Sequence, residues 1–314
     1  MKKTKHQLGF FLRGMVLISG TTLLVAGPSE AALAVTASTT ADDMAAALLG
    51  PGVKLVAGSA TYTGAADASG FFTGDTTIFG NPSGVDGVLF TSGSVTNALP
   101  PNNSPSATLS NGAAGSAYLS SLIGGAQTFN ASTLSFKITV DPDVSAVEWT
   151  YVFGSEEYNE FVNSSFNDVF ALSLDGTNLA LIPGTSTPVS INNVNNGNPV
   201  GSGTISNPTF YRNNSPGSNV GGVPGPYETQ YDGLTTVLKS VATGLKPGVE
   251  YNLIFAVADT SDTVLDSGVF LKGGSVKRAE EEAPAPLPLL GAGAALAWSR
   301  RLRSRISSKR FQMP

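Results

Sequence analysis

Short apolar runs separated by turns rich in glycine, asparagine, serine and proline occupy most of this chain. Its 314 residues include 36 glycines and 19 prolines, and helix signals are few. Alternating apolar runs bounded by turn residues are typical of β-strands. Strands that follow one another without intervening helices favour two packed sheets. We therefore predict an all-β fold, an antiparallel β-sandwich that resembles a jelly roll.

Eleven runs have the pattern of strands. In Ala146–Phe153, the side chain of Trp149 is expected on the core face, while Glu148 and Thr150 should point to water. The run Leu253–Ala258 is apolar throughout, which predicts a central strand covered on both faces. The candidate strands are Val53–Tyr62, Thr76–Phe79, Val85–Thr91, Leu134–Val140, Ala146–Phe153, Asp168–Leu174, Leu179–Ile182, Val189–Val194, Thr235–Thr243, Glu250–Ala258 and Val264–Lys272.

Two segments depart from the strand pattern. A short N-terminal helix is predicted over Ala41–Leu49, because Thr40 can cap it and Asp42 and Asp43 lie in its first turn. The stretch from Asn192 to Tyr231 is rich in Asn, Gly and Pro and has few apolar residues. It is predicted to be a long surface loop.

The N-terminus has the three regions of a secretory signal peptide. Basic residues precede an apolar stretch, Gly14–Ala26, and small residues follow it. Cleavage after Ala31 or after Ala34 fits equally well, and we assign residues 1–31 to the signal. With no Arg-Arg pair before the apolar region, export through the general secretory translocon and cleavage by signal peptidase are expected. An uncleaved anchor is the alternative, and the short apolar run argues against it.

The C-terminus carries a second sorting signal. Pro284 and Pro286 precede a run of twelve apolar residues, Leu287–Trp298, and six basic residues follow between positions 300 and 310. At about 1.5 Å per residue the run reaches roughly 18 Å, short of the bilayer core of about 30 Å, and the basic flank should stay cytoplasmic. The pattern predicts a transient membrane anchor read by a membrane transpeptidase; a tail helix packed on the domain is the alternative. The basic cluster begins with Arg300, Arg301 and Arg303.

Between the two signals lies one predicted β-sandwich domain, residues 32–276, followed by a linker, 277–286, and the sorting signal, 287–314. Residues 32–276 keep six of the 18 Lys and Arg residues and 19 of the 23 Asp and Glu residues, so their net charge is −13. This charge does not suit nucleic acid, which needs a basic surface. It suits divalent cations and a hydrated extracellular polysaccharide.

The absence of two residue types excludes several chemistries. Cysteine is absent and the single histidine, His6, lies in the signal peptide. The exported domain therefore has no disulfide, no thiol nucleophile, no Ser-His-Asp triad and no usual zinc or copper site. Oxygen ligands remain, and these are the ligands of calcium.

Carboxylates collect where predicted strands end. Strands of one sheet can deliver such residues to the same edge, where carboxylates without a counter-charge would repel one another. A calcium ion, which takes six to eight oxygens at about 2.3–2.6 Å, would neutralise them. Solvated acidic loops with Asp turn caps are the alternative. The predicted metal ligands are Glu156, Glu157, Asp168, Asp259, Asp262 and Asp266.

Carboxylate pairs can also hydrolyse glycosides. Adjacent Glu156 and Glu157 should point to opposite faces, which leaves one of them with Asp168 as the conceivable pair. A sugar site would need exposed aromatic rings, and Trp149 lies on the predicted core face. We predict a non-catalytic protein, with a glycan-binding module as the alternative and a hydrolase as a weaker one. The candidate ligand contacts in the long loop are Tyr211, Tyr227 and Tyr231.

Three segments carry a resemblance to a known family. Tyr151–Phe170, Ala256–Phe270 and Gly84–Gly93 resemble the bacterial choice-of-anchor L extracellular domain, and the likeness runs from about Met44 to Val276. The tail resembles the PEP-CTERM signal read by exosortase, although Ala285 stands where that signal has glutamate between two prolines. The resemblance implies a secreted protein of the cell envelope or biofilm matrix, with an exosortase-type transpeptidase as a partner.

The tail is expected to be removed during export, because a short apolar helix with a basic flank marks a processed anchor. Protein isolated from its native envelope should lack the residues after about Pro286. Intact-mass measurement checks this. A mature protein that still carries Trp298 and the arginine cluster would contradict the assignment.

Overall fold

The structure is a computed structural model that describes residues 33–215 and 227–280. The predicted signal peptide and the predicted sorting signal lie outside the described residues. Within those residues, no helix has both the length and the apolar character needed to cross a membrane.

The described residues form an all-β fold, as predicted. Two α-helices, α1 (Ala41–Leu48) and α2 (Ala117–Leu122), and 3-10 helices at Val95–Ala98, Ile191–Asn193 and Pro208–Phe210 accompany the strands. In chain order, the strands are β1 Ala34–Ala37, β2 Val53–Leu55, β3 Thr61–Thr63, β4 Ser69–Asp75, β5 Val85–Thr91, β6 Thr128–Val140, β7 Ala146–Ser155, β8 Val169–Leu174, β9 Thr177–Asn178, β10 Tyr211–Asn213, β11 Gly233–Thr235, β12 Leu238–Thr243, β13 Tyr251–Thr260, β14 Ser267–Lys272 and β15 Lys277–Arg278.

The strands build two antiparallel sheets. The first sheet has the order β1-β4-β5-β14-β7-β11-β10, and β12 and β15 also pair with β7. The second has the order β2-β6-β13-β8-β9, with β3 paired to β6. Side chains from both sheets, such as Trp149 and Phe153 of β7 and Phe255 of β13, belong to one buried apolar cluster. The sheets therefore pack face to face around a shared core, which confirms the predicted sandwich.

A second apolar cluster covers the outer face of the first sheet. It contains Val152 of β7, Phe270 of β14 and Tyr231, together with Val95 and Ala98 from the connection after β5. Since successive side chains of a strand point to opposite faces, β7 is buried on both sides. Residues that follow this strand consequently enter buried surroundings on either face.

Strand β13 is central, as its apolar sequence predicts. It pairs with β6 on one side and β8 on the other, and Ala256, Val257 and Ala258 are each 1% exposed or less. The helix prediction also matches α1. Thr40 takes the N-cap position but makes no side-chain capping hydrogen bond.

Other predicted strands differ from the structure. Val53–Tyr62 forms two short strands because a turn, closed by the Ser59 N–H donating to the Val56 carbonyl, separates β2 from β3. Thr76–Phe79 is not a strand. The Asp75 carboxylate accepts N–H bonds from residues 77, 78 and 79 at 2.7–3.0 Å, which folds this stretch into a side-chain-capped turn after β4.

The alternation of side chains in β7 predicts that Glu148 points to water, and this prediction is wrong. Glu148 is 3% exposed, and its carboxylate lies 3.2 Å from Lys239 Nζ and 3.5 Å from Lys277 Nζ. Strands β12 and β15 both pair with β7 beside this residue. Their lysine side chains therefore cover it and compensate its charge.

In its described parts, the segment 192–231 is more ordered than the predicted surface loop. Its described parts include β10 and a 3-10 helix, and Asn195 and Asn214 are fully buried. Asn195 shows how polar side chains replace apolar packing: its amide donates to the carbonyls of Ile191 and Asn192, and its Oδ1 accepts from the Gly197 N–H. Buried amides can order a segment when their hydrogen bonds are satisfied.

Two neighbouring valines test the burial of β7. Val147 is fully buried, while Val241 of the adjacent strand β12 is 45% exposed. Val147→Ala should lower the free energy of unfolding by about 2–3 kcal/mol, since two buried methyl groups are lost and a cavity remains. The same change at Val241 should cost less than about 1 kcal/mol. Urea denaturation measures both, and equal losses would contradict this assignment of faces.

Candidate functional site

The two sheets bring their acidic segments to one edge of the sandwich. In the first sheet, Ser155 at the end of β7 pairs with Ser267 at the start of β14. In the second, β13 and β8 pair up to Ala258 and Val169, so that Asp259 and Asp168 follow at the same level. The Ser267 hydroxyl donates to Asp168 Oδ2 at 2.7 Å. This bond joins the two sheets at the edge where the carboxylates collect.

One set of carboxylates, which we call the inner group, lies toward the second sheet: Glu157, Asp168, Asp259 and Asp262. Glu157 and Asp259 are 1% exposed or less. Burial, together with the charges of the nearby Asp262, Asp259 and Glu160 carboxylates, raises the pKa of Glu157 to about 9. Burial, followed by the charges of neighbouring carboxylates, also holds the pKa values of Asp168 and Asp259 well above the ordinary value. Burial raises the pKa of Asp262 as well.

A second set, the outer row, lies on the opposite face of the first sheet: Asn214, Asp232, Glu156 and Asp266. The Glu156 N–H donates to the Asp266 carbonyl at 3.0 Å. Burial raises the pKa of Glu156 to about 10, that of Asp232 to about 7 and that of Asp266 to about 6. Asp232 is the largest charged contributor to the Glu156 shift. Adjacent Glu156 and Glu157 thus serve different sets, as expected for opposite faces of a strand.

Internal donors satisfy some of these carboxylates completely. Asp168 Oδ1 accepts from the Thr260 N–H at 2.8 Å, and its Oδ2 accepts from Ser267. Asp266 Oδ1 accepts from the Leu109 N–H and its Oδ2 from the Asn97 amide. The absence of a side chain at Gly93 leaves room for Asp266, since a Cβ there would lie 1.8 Å from Asp266 Oδ2. These two aspartates hold the fold at this edge.

Other carboxylates keep buried oxygens without a hydrogen-bond partner. Both carboxylate oxygens of Glu157 lack a hydrogen-bond partner. Asp259 Oδ1 also lacks one, whereas Asp259 Oδ2 accepts from the Asn130 amide at 2.9 Å. Buried polar atoms without partners are rare in folded proteins and mark a site that a proton, water or ion completes. The remaining unpartnered oxygens at this edge are Glu156 Oε1, Glu160 Oε2, Asp232 Oδ2 and Asn214 Oδ1.

The six predicted metal ligands thus collect at one edge but divide between the inner group and the outer row. Over residues 33–215 and 227–280, no three Asp, Glu, His or Cys side chains converge closely enough to hold a metal ion by themselves. Any cation here would also need amide, backbone or water oxygens, which calcium accepts.

Sequence reasoning did not assign Asp232 or Asn214 to this site. Asn214 lies in the segment predicted as a loop, 192–231, and Asp232 follows that segment directly. Two strands of three residues, β10 and β11, align both with Glu156. The sequence around β11, Asp232-Gly-Leu-Thr235, is too short for its pattern of polar and apolar residues to identify a strand.

The three candidate ligand-contact tyrosines do not share one exposed surface. Tyr231 is 1% exposed and its hydroxyl lies 3.1 Å from Thr91 Oγ1. Tyr211 is half-buried and its hydroxyl donates to Asn159 Oδ1, while Asn213 Oδ1 lies 3.1 Å away. Tyr227 is also half-buried, and the Arg212 guanidinium lies 4.5 Å from the centre of its ring. Tyr227 and Tyr211 remain the candidates with accessible surface.

Comparison with models of protein families gives a match over most of the chain. The model of the choice-of-anchor L domain matches residues 34–277. The chain belongs to the choice-of-anchor L family. Membership suggests a structural protein of the cell surface or extracellular space and not an enzyme. Neither the search of curated proteins nor that of solved structures gave a match.

The raised pKa values predict how stability depends on pH when no divalent cation is present. In the folded state, Glu156 and Glu157 have pKa values of about 10 and about 9. Below about pH 4.5 both carboxyls are protonated in the unfolded and in the folded chain, and the free energy of unfolding is at its highest with respect to these groups. As pH rises to about 9, the unfolded chain releases protons that the folded chain keeps. The free energy of unfolding should fall, by up to about 1.4 kcal/mol per pH unit for each group.

Urea titrations in chelator at about pH 5, 7 and 9 measure this slope. The double variant Glu156→Gln with Glu157→Gln should reduce it, because neither amide titrates, while the raised pKa values of Asp168, Asp232 and Asp259 maintain the remaining slope. Glu250→Gln, at an exposed position paired with Lys137, should leave the slope unchanged. A wild-type protein as stable at pH 9 as at pH 5 would contradict the burial of these groups as acids.

Proposed function

We propose that this chain is an exported, non-catalytic interaction module of the bacterial envelope or extracellular matrix, stabilised by calcium at the inner group. The observation that carries the proposal is the set of buried, unpartnered carboxylate oxygens on Glu157 and Asp259. Family membership supports a surface location. The sorting signals at both ends of the sequence support export, a transient C-terminal anchor and processing by an exosortase-type enzyme.

The energetic case for a cation is the absence of any other counter-charge. Removing one ionised carboxylate from water costs several kcal/mol unless a charge or donors compensate it. Among the described residues, the salt bridges involve other carboxylates, such as Asp141, Glu148 and Glu250. The Arg212 guanidinium donates to backbone carbonyls of Thr235 and Ile78. The inner group therefore has no protein cation beside it among those residues.

Ligand chemistry favours calcium over other ions. The domain offers carboxylate, amide and backbone oxygens but neither thiolate nor imidazole, which disfavours zinc and copper. Magnesium prefers a strict six-coordinate geometry and gives up its water reluctantly. Calcium accepts six to eight oxygens in flexible geometry, which suits a site whose carboxylates do not form a cage by themselves.

A structural role fits the position of the inner group. Its members come from both sheets, Glu157 after β7 and Asp259 in β13. An ion that touches both would bind the folded sandwich and not the unfolded chain, and would stabilise it by mass action. Hydrolysis receives less support, because both oxygens of Asp168 already accept hydrogen bonds from Thr260 and Ser267.

The recognition partner is proposed by charge and location to be an extracellular polysaccharide or a second surface component. A glycan array with the purified exported protein separates these possibilities. Binding to defined sugars would establish the lectin-like alternative. Silence on the array together with self-association would support a matrix component.

Calcium should raise the thermal midpoint of the mature protein, and magnesium should raise it less. At a concentration 100 times Kd, the stabilisation would be about 2.7 kcal/mol. Asp259→Asn and Glu157→Gln should each remove the part of the calcium shift that comes from the inner group, whereas Glu160→Gln, at a residue that is only partly buried, should keep most of the shift. Differential scanning calorimetry in chelator and in millimolar calcium measures these shifts.

Asp42→Asn is the matched control, because Asp42 is exposed in the first turn of α1. It should keep the wild-type calcium shift. Identical melting curves for the wild-type protein in chelator and in calcium would defeat the proposal. So would an undiminished shift in both the Asp259 and the Glu157 variants.

A further inference from the structure

The outer row contains three unpartnered oxygens, on residues next to the ends of three neighbouring strands. They are Glu156 Oε1, Asp232 Oδ2 and Asn214 Oδ1. All three residues are 1% exposed or less. None of these oxygens belongs to the inner group, which lies on the other face of the first sheet.

Strand register brings these side chains side by side. Gly233 pairs with Ser155 in the β11–β7 ladder, so Asp232 and Glu156 are the next opposite positions. The Asn214 N–H donates to the Asp232 carbonyl at 2.8 Å, which continues the β10–β11 pairing by one residue. Directly opposite residues of antiparallel strands project to the same face, with Cβ atoms about 4.5–5.5 Å apart. Asn214, Asp232 and Glu156 therefore form a row on one face.

The orientation of the Asn214 amide is fixed by its partners. Its Nδ2 donates to the carbonyls of Thr229 and Tyr231 at 3.0 Å and 2.9 Å. Exchanging the amide nitrogen and oxygen would place an acceptor against two acceptors, so the network determines this assignment. The unpartnered atom is therefore an oxygen, and a neutral one. Together with the carboxylates of Glu156 and Asp232, this amide oxygen forms a group of acceptors that only a hydrogen-bond donor or a cation can satisfy.

A covering segment uses one oxygen of each carboxylate and leaves the other. The Ala107 N–H donates to Glu156 Oε2 at 3.1 Å. The Asn102 amide donates to Asp232 Oδ1 and to the Asn214 carbonyl, both at 2.8 Å. Residues 102–109, which we call the covering segment, thus lie over the row and donate hydrogen bonds to one oxygen of each carboxylate. The unsatisfied oxygens remain beneath the segment, away from solvent.

We propose that the outer row binds a second divalent cation of the calcium type, through Glu156, Asp232 and Asn214, independently of the inner group. Two carboxylates match the charge of one divalent ion, and the amide oxygen adds a ligand that calcium accepts. Backbone and water oxygens complete its coordination. The proposal rests on the same oxygen chemistry as the proposed function but on different residues. The ion would fasten the covering segment to the end of the first sheet.

A shared proton is the competing explanation. Burial and the Asp232 charge raise the pKa of Glu156 to about 10, and burial with the Glu160 charge raises that of Asp232 to about 7. Without a cation, one proton on Glu156 would then reduce the repulsion within the pair. This alternative predicts no ion at the outer row and no effect of calcium on the covering segment.

Native mass spectrometry of the mature exported protein, titrated with calcium, counts the ions. The wild-type protein should bind two. Asp232→Asn and Glu156→Gln should each bind one, Glu157→Gln should bind one, and Asp232→Asn with Glu157→Gln should bind none. Asp42→Asn should bind two. Because the amide variants keep the shape and remove a buried charge, their melting curves in chelator should show a folded protein at least as stable as the wild type.

Hydrogen exchange of residues 102–109 supplies a readout specific to the outer row. Calcium should slow exchange of this segment in the wild type and in Glu157→Gln, but not in Asp232→Asn. Two bound ions in the Asp232 and Glu156 variants would overturn the second site and leave the inner site standing. Unchanged binding in Glu157→Gln and Asp259→Asn, with loss in Asp232→Asn, would overturn the inner site alone. A wild-type protein that binds no calcium would overturn both.

Discussion

Burial of carboxylates where the two sheets end is the constraint on which this structure depends. An ionised carboxylate in such surroundings needs donors or an opposite charge. Asp168 receives both of its hydrogen bonds from the protein, one from Thr260 in the second sheet and one from Ser267 in the first. These two hydrogen bonds therefore join the sheets through the Asp168 carboxylate. Glu157 and Asp259 lie beside it with oxygens that the protein leaves unpartnered. The same edge is thus both a structural joint and a site with unused binding capacity.

The alternation of side chains in β7 explains why this edge has two sides. Val152 on the outer face and Phe153 on the inner face belong to different apolar clusters. The chain continues the alternation through Ser155 into Glu156 and Glu157, so one glutamate meets the outer row and the other meets the inner group. A sheet with one solvated face would have placed one of them in water. Coverage of both faces is what turns an ordinary acidic strand end into two buried sets.

Apolar runs bounded by turn residues predicted the strands that are long enough to show such a pattern. Strand β5 was predicted over Val85–Thr91 and has those bounds, and the apolar run of β13 indicated its central position. The carboxylates of the inner group could be found because they lie at or near the ends of strands long enough to show a pattern. Asp232 and Asn214 could not, since strands of three residues carry no period. The distinction between satisfied and unsatisfied carboxylates was also out of reach: the donors to Asp168 come from positions 92 and 99 residues away.

Because the chain has no cysteine, a cation bound at the acidic edge would, on the proposed function, take the stabilising role that disulfides have in many exported domains. Disulfides are a common means by which exported domains restrict their unfolded state, and this chain has none to form. A cation that binds two sheets can supply comparable stabilisation, because binding free energy at a site formed only on folding is folding free energy. Extracellular calcium modules bind with Kd values of about 10⁻⁴–10⁻³ M. A chain with such sites would gain this stabilisation only where calcium is abundant. Without calcium it would remain in its less stable, cation-free form.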